Sequence, residues 1–226
     1  MKSVGLVIQA RMGSSRLPGK VLRPIGHLPL LGHVTGRLAQ LPRAWPVVVA
    51  TSIDPQNDPI VNWCQQAEVE TFRGSEHDVL ERYVQCAQRF GFDHVVRLTA
   101  DNPFTDIQEL ERLVLHHLEG GFDYTHSFGM MPLGVGAEVF TLASLLRSHV
   151  EGLASNHREH VNEYIQENPE LFRIGVLDVP VEKRGQELRL TVDTEQDWQR
   201  ADALARKAQG RWLGTQEAIA LCSSSA

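Results

Sequence analysis

An α/β fold, with a mostly parallel sheet and helices on both faces, is predicted by two observations. Short β-branched runs alternate with helical patterns along the chain. The first run, VGLVIQ at Val4–Gln9, is continuously apolar, as a strand buried on both faces must be.

The further strands read from the sequence are residues 47–50 (VVVA), 69–72 (VETF), 94–98 (HVVRL), 122–125, 172–179 and 188–192. The helices between them carry start and stop signals. Asp58 followed by Pro59 reads as a cap with proline at the first helical position. Ser75 with Asp78 resembles a capping box. Val79, Leu80, Tyr83, Val84, Ala87 and Phe90 then form one apolar face that Gly91 ends, with Glu81 and Arg82 read as its solvated side. Thr105 with Gln108 opens another helix, closed by Gly120 and Gly121. Thr194 with Asp197 opens a third, with Trp198, Ala201, Leu204, Ala205 and Ala208 on one side. No linker interrupts this pattern, so residues 1–226 are expected to form one domain, with an excursion around residues 127–136 (SFGMMPLGVG is 127–136).

With 226 residues the chain can bury a sizeable core, and no apolar run approaches the ~20 residues of a membrane helix. The start lacks a signal-peptide pattern, so the cytoplasm is the expected location. Three separated cysteines without CxxC spacing argue against a disulfide framework or a zinc site. A net charge of −6 argues against a nucleic-acid binder. Yet residues 1–53 hold seven Lys or Arg and no Asp or Glu, which suggests a local anion site.

The segment QARMGSSRLPGKVL (residues 9–22) follows the first strand directly. Gly13, Ser14 and Ser15, next to Ala10, permit a turn whose amides face a phosphate. Arg11, Arg16 and Lys20 place three cations within ten residues, as a triphosphate requires. It is not a Walker A loop: five residues separate Gly13 from Gly19, and Val21 follows Lys20 where a hydroxyl would stand. Any metal ligands must come from elsewhere. Asp101 after VVRLTA and Asp193 after LRLTV are carboxylates at strand ends, where ligands of such sheets bind. Mg²⁺ takes one or two carboxylates with phosphate oxygens and water. Otherwise, Asp101 is a turn residue before Asn-Pro, and Asp193 a residue beside the Thr194 cap.

QARMGSSRLPGKVL resembles the signature of the sugar-acid cytidylyltransferases, the family of the CMP-acylneuraminate and CMP-KDO synthetases, and within it the SpsF-type spore-coat polysaccharide proteins. The resemblance continues in order through VVVATS, FRGSEHDVLERY, VVRLTADNP, REHV and RLTVDTEQD, over nearly the whole chain. It implies a Rossmann-like three-layer α/β/α nucleotidyltransferase fold, CTP as nucleotide, a sugar acid or related acceptor, release of pyrophosphate, and a homodimer. It further implies that Asp101 and Asp193 hold Mg²⁺, with Arg11 and Lys20 also catalytic. Arg73, Gly74 and Ser75 would line base and ribose, although a plain helix cap explains them equally. Glu138, Arg158 and His160 would face the acceptor, although His160 also reads as a packed histidine. Leu133 and Gly136 stand where the SpsF pattern carries Asp, and TADNP replaces TGDCP, leaving Asp101 in place. Two alternatives remain. One is a nucleotide-sugar glycosyltransferase, whose usual DxD motif is absent from Asp101-Asn102-Pro103. The other is a nucleotide-binding protein without catalysis.

Overall fold

The computed structural model describes residues 2–223. Nine strands run in chain order among them: β1 (Val4–Gln9), β2 (Pro24–Ile25), β3 (Leu28–Pro29), β4 (Val47–Ser52), β5 (Glu70–Gly74), β6 (His94–Thr99), β7 (Tyr124–His126), β8 (Glu138–Thr141) and β9 (Ile174–Val176). The helices are α1 (Leu30–Leu38), α2 (Asp58–Gln66), α3 (Val79–Phe90), α4 (Ile107–Gly120), α5 (Leu142–Glu151), α6 (Ser155–Glu159), α7 (Glu163–Glu167), α8 (Glu195–Lys207) and α9 (Thr215–Ser223).

Seven strands form one sheet in the order β5-β4-β1-β6-β8-β7-β9, while β2 and β3 make a small hairpin. The pairs β5/β4, β4/β1, β1/β6 and β7/β9 are parallel; β8 runs antiparallel to both β6 and β7. The sheet is therefore mostly parallel, as expected. Side-chain alternation splits its core in two. Leu6 and Ile8 pack against α1, α2 and α4 through Leu31, Ile60 and Leu113. Val7 and Ala50 pack against α3, α5 and α7 through Leu80, Leu145 and Ile165. A third cluster joins Met131, Val135, Leu190 and Val192 to Ala201 and Leu204 of α8.

The helix starts show how local hydrogen bonding refines the pattern. Thr194 and Asp197 form the reciprocal capping box read from the sequence. Elsewhere the cap moves. Asp78, not Ser75, caps α3: it accepts the Glu81 N–H at 2.8 Å, and Ser75 Oγ accepts the Asp78 N–H at 3.1 Å. Asp106, not Thr105, caps α4 by accepting from Gln108 and Glu109, and Asn57 precedes Asp58 as the cap position of α2. In the first two, a carboxylate that accepts one amide (Asp78) or two (Asp106) takes the place of the neighbouring hydroxyl. Gly91 and Gly121 end α3 and α4 in the left-handed conformation.

One strand expectation fails. Residues 188–192 do not join the sheet. They run extended along the 132–135 turn, with Leu133 N–H donating to Leu188 O at 2.9 Å and Leu190 N–H to Leu133 O at 2.7 Å. Leu190 and Val192 are buried in the third cluster, so the apolar pattern served that packing rather than sheet membership. Gly134, at φ +100, permits the approach; a Cβ there would lie 2.5 Å from the Thr191 nitrogen. In the 127–136 segment Phe128 and Leu133 are exposed, while Met131 and Val135 are buried. The expected solvated position of Arg82 is also wrong: it is 1% exposed. Its guanidinium nitrogens have no hydrogen-bond partner, and burial lowers its pKa. Charged stems can pack inside where the pattern alone reads a polar face.

Candidate active site

The loop after β1 is shaped by its own backbone. Met12 O accepts from the amides of Ser14 and Gly19, each at 2.9 Å, and Ser14 Oγ accepts the Leu17 N–H at 3.3 Å. Asn57 Oδ1 ties the loop to the start of α2 through the Met12 N–H at 2.8 Å. Gly19 takes φ +71 and turns the chain into a short 3-10 segment, Lys20–Leu22. That turn delivers the Lys20 side chain to the carboxyl end of the sheet.

A cavity of about 180 Å³ lies there, lined by Gln9, Arg11, Ser14, Ser15, Arg16, Lys20, Thr99, Asp101 and Asp193 among others. Lys20 is its hub, 7% exposed. Its ammonium donates to Asp101 Oδ2 at 2.7 Å, Asp193 Oδ1 at 2.8 Å and Val192 O at 2.8 Å. Asp101 follows β6, and Thr99 Oγ1 donates to its other oxygen at 2.6 Å. Asp193 arrives from the extended 188–192 segment, which Val192 N–H anchors to Asp101 O at 2.9 Å. The two acids therefore meet, although only Asp101 follows a strand.

Asp193 is gripped by more than Lys20. Arg16 lies 3.2 Å from Oδ1, and Arg189 donates to Oδ2. Arg189 also pairs with Asp197 at 3.4 Å. Partial burial pushes the Asp193 carboxyl up. The Lys20 hydrogen bond and the charges of Lys20, Arg16 and Arg189 outweigh it, and hold the carboxyl below the usual range.

Of the other residues expected at the site, Ala10 is buried at the end of β1, with its N–H on Ala50 O at 3.2 Å. Gly13 stands over Gln56, 3.5 Å from where its Cβ would be. Arg11 reaches toward α6, 4.0 Å from Glu159. The remaining residues lie away from the cavity. Arg73 is committed to the segment after β4: Nε donates to Ser52 O at 2.9 Å, and the guanidinium pairs with Asp58 at 2.7 Å. Gly74 sits under Phe72 and Arg82, and the Ser75 hydroxyl serves the Asp78 amide. Glu138 is 1% exposed in β8, paired with Arg97 at 2.5 Å and accepting from Tyr124 Oη at 2.5 Å. Arg158 pairs with Asp78 at 3.3 Å, and exposed His160 follows α6.

Sequence reasoning missed Gln9 and Thr99 at the cavity, and Arg189 behind Asp193. Thr99 stands two residues before Asp101, a spacing at which a hydroxyl reaches a carboxylate; nothing in the pattern marks Arg189, whose contact depends on the turn at Asp193.

Residues 6–219 match the profile of the Cytidylyltransferase family. The chain belongs to that family. It is 38% identical over 216 residues to the spore coat polysaccharide biosynthesis protein SpsF of Bacillus subtilis, covering 93% of this chain and 90% of that one. A 3-deoxy-manno-octulosonate cytidylyltransferase of Escherichia coli is 32% identical over 114 residues, half of this chain and 46% of its own. A solved cytidylyltransferase from Leptospira borgpetersenii superposes with a TM-score of 0.93 at 30% identity, covering all of this chain and 95% of the other. The loop, cavity and converging acids are thus features of a cytidylyltransferase-family enzyme with a Rossmann-like α/β fold.

The residues present suit a divalent cation. Two carboxylates from segments ninety-two positions apart (Asp101 and Asp193) already share one cation position, that of the Lys20 ammonium. Among the described residues no group of three or more His, Cys, Asp or Glu side chains could hold a metal. Protein would supply two ligands here, and phosphate oxygens with water would complete the octahedron that Mg²⁺ demands.

Proposed function

We propose that this enzyme transfers CMP from CTP to a sugar acid or related acceptor and releases pyrophosphate. The observation that carries the reading is the convergence of Asp101 and Asp193 on one cation position, inside a cavity walled by the cationic loop of residues 10–20.

An acceptor hydroxyl oxygen forms a bond to the α-phosphorus and gives up its proton to solvent, as the bond from that phosphorus to the pyrophosphate oxygen breaks. Positioning and charge neutralisation carry such a displacement, because the protein has little covalent chemistry to perform. Asp101 and Asp193 would hold Mg²⁺, which supplies Lewis-acid polarisation of the phosphate when bound. Thr99 fixes the rotation of Asp101, and Arg189 that of Asp193. Lys20, Arg16 and Arg11 neutralise charge gathering on the departing pyrophosphate, where one such group is worth about 3 kcal/mol, or ~100-fold in rate. Arg11 lies 4.0 Å from Glu159 of α6, which supports an acceptor bound on the side of the loop that faces Arg158 and His160. The partial match to a 3-deoxy-manno-octulosonate enzyme supports a sugar-acid acceptor.

Homodimer assembly and cytoplasmic residence belong to the same reading; no described helix is long and apolar enough to cross a membrane, and light scattering tests the dimer. The deciding experiment measures pyrophosphate release with each NTP and Mg²⁺ against a panel of nonulosonic acids and sugar phosphates. Release with CTP and one acid supports the reading. Sugar transfer without pyrophosphate, or nucleotide binding without turnover on any acceptor, overturns it.

A further inference from the structure

We propose that the Lys20 ammonium is the resident cation of the metal position, so that a divalent metal enters only together with the triphosphate. The inference rests on the cytidylyl-transfer reading and adds an order of binding to it.

Three observations carry it. First, all three ammonium protons of Lys20 are spent, on Asp101 at 2.7 Å, Asp193 at 2.8 Å and Val192 O at 2.8 Å. A metal between the two carboxylates would sit where Nζ now sits, and two cations cannot share that point. Second, the local charge is already balanced. Lys20, Arg16 and Arg189 face Asp101, Asp193 and Asp197, so a bare dication would join a site with no surplus negative charge. A triphosphate, carrying about four negative charges, reverses that balance. Third, the protein offers too few ligands for a metal alone, as described above, whereas phosphate oxygens complete the set.

The exchange has a route within this chain. Lys20 follows Gly19 and heads the 3-10 segment directly beside the loop that faces the triphosphate tail. Rotation of its side chain moves Nζ from the carboxylates onto a phosphate oxygen. Asp193 does not swing free when this happens: Arg189 keeps Oδ2, and Asp197 accepts the Asp193 amide at 3.2 Å. The carboxylate oxygen released by Lys20 is Oδ1, whose other contact is the exposed Arg16 guanidinium at 3.2 Å, a group free to turn to the phosphates as well. Lys20 thus serves twice, as counter-ion of the two carboxylates and, once nucleotide binds, as a phosphate contact.

The test is Mn²⁺ binding, followed by the free-Mn²⁺ paramagnetic resonance signal and by calorimetry, with and without a non-hydrolysable CTP analogue. The wild type is expected to bind Mn²⁺ at least tenfold more tightly with the analogue than without. Lys20→Met is expected to bind Mn²⁺ without nucleotide about tenfold more tightly than the wild type does. Lys20→Gln, which keeps a neutral donor to the carboxylates, repeats the measurement should the methionine variant misfold. Equal nucleotide-free affinity in wild type and variants overturns the proposal and leaves cytidylyl transfer standing. Failure of the wild type to bind Mn²⁺ even with the analogue overturns both.

Discussion

Asp101→Asn isolates the role of one carboxylate with almost no change of shape. Asp101 accepts from Thr99 Oγ1 at 2.6 Å and from Lys20 Nζ at 2.7 Å. The amide can keep the Thr99 contact through its oxygen and turns an –NH₂ toward the ammonium. Lys20 retains Asp193 and the Val192 carbonyl. Removing one partner of a fully buried ion pair costs about 3–5 kcal/mol. Here the Asp101 side chain is 26% exposed and one carboxylate partner remains, so about 1 kcal/mol is expected. For a chain of this length that lowers the melting temperature by roughly 2–4 °C. Catalysis should suffer far more. One of the two proposed protein ligands to the cation and one fixed charge are gone, and the expected loss is about 3 kcal/mol or more, a fall in turnover of at least ~100-fold. The assay couples pyrophosphate release to a chromogenic readout at saturating CTP and acceptor, alongside a thermal melt. Turnover within threefold of wild type in a protein with an unchanged melt would refute the reasoning, since the carboxylate would then be a turn residue only.

Arg189→Met is expected to leave the chain folded and to raise the Mg²⁺ concentration for half-maximal activity by about 10-fold, because outer-shell partners of metal ligands carry effects of that size; a Mg²⁺ titration decides it, and Arg189→Lys should recover part of the loss. Glu138→Gln leaves the Arg97 charge buried without its carboxylate, so a stability loss of about 3 kcal/mol is expected, read as a melting temperature lower by roughly 10 °C; a melt unchanged within 2 °C would show that the pair is not structural. Gly134→Ala would press a Cβ to within 2.5 Å of the Thr191 nitrogen and displace the segment that carries Asp193, so both stability and turnover should fall; retained turnover would contradict the role given to this contact. Stability should also depend on pH through His117, fully buried between His94 and Thr125, with Nε2 2.9 Å from His94 Nδ1. Burial, then the neighbouring charges of His94, Lys2 and His116, push its pKa down to about 3. Between pH 6.5 and 3 the unfolded chain holds a proton that the folded chain refuses, so this contribution is complete above pH 6.5 and declines as pH falls. The expected loss is about 2 kcal/mol at pH 5; denaturant titrations at pH 7 and 5 should show it in the wild type and not in a His117→Asn variant.

The sequence by itself determined what depends on neighbours along the chain. Alternating apolar runs and helix signals gave β1 at its observed bounds and the body of α3, and the Thr194–Asp197 box marked the start of α8. The composition of residues 9–22 identified the loop, because a turn of Gly and Ser with three cations is a local property. Of the seven basic residues in the first 53, the three placed in that loop are the ones at the cavity. Arg37 is instead buried, donating to Pro103 O at 2.7 Å, and Arg23 pairs with Glu195. Tertiary structure alone decided the rest. Residues 188–192 look like a strand because burial on one side produces the same pattern whether the partner is a sheet or the turn at Leu133. The ion-pair partners of Glu138 and Arg73, which the resemblance gives as ligand contacts, are not legible in the sequence because a charge does not announce its partner; here Arg97 and Asp58 supply them. Above all, that Asp101 and Asp193 share one cation depends on where two distant segments cross the edge of the sheet. Coulomb attraction at 2.7 and 2.8 Å to the Lys20 ammonium exists only once the whole chain has closed around it.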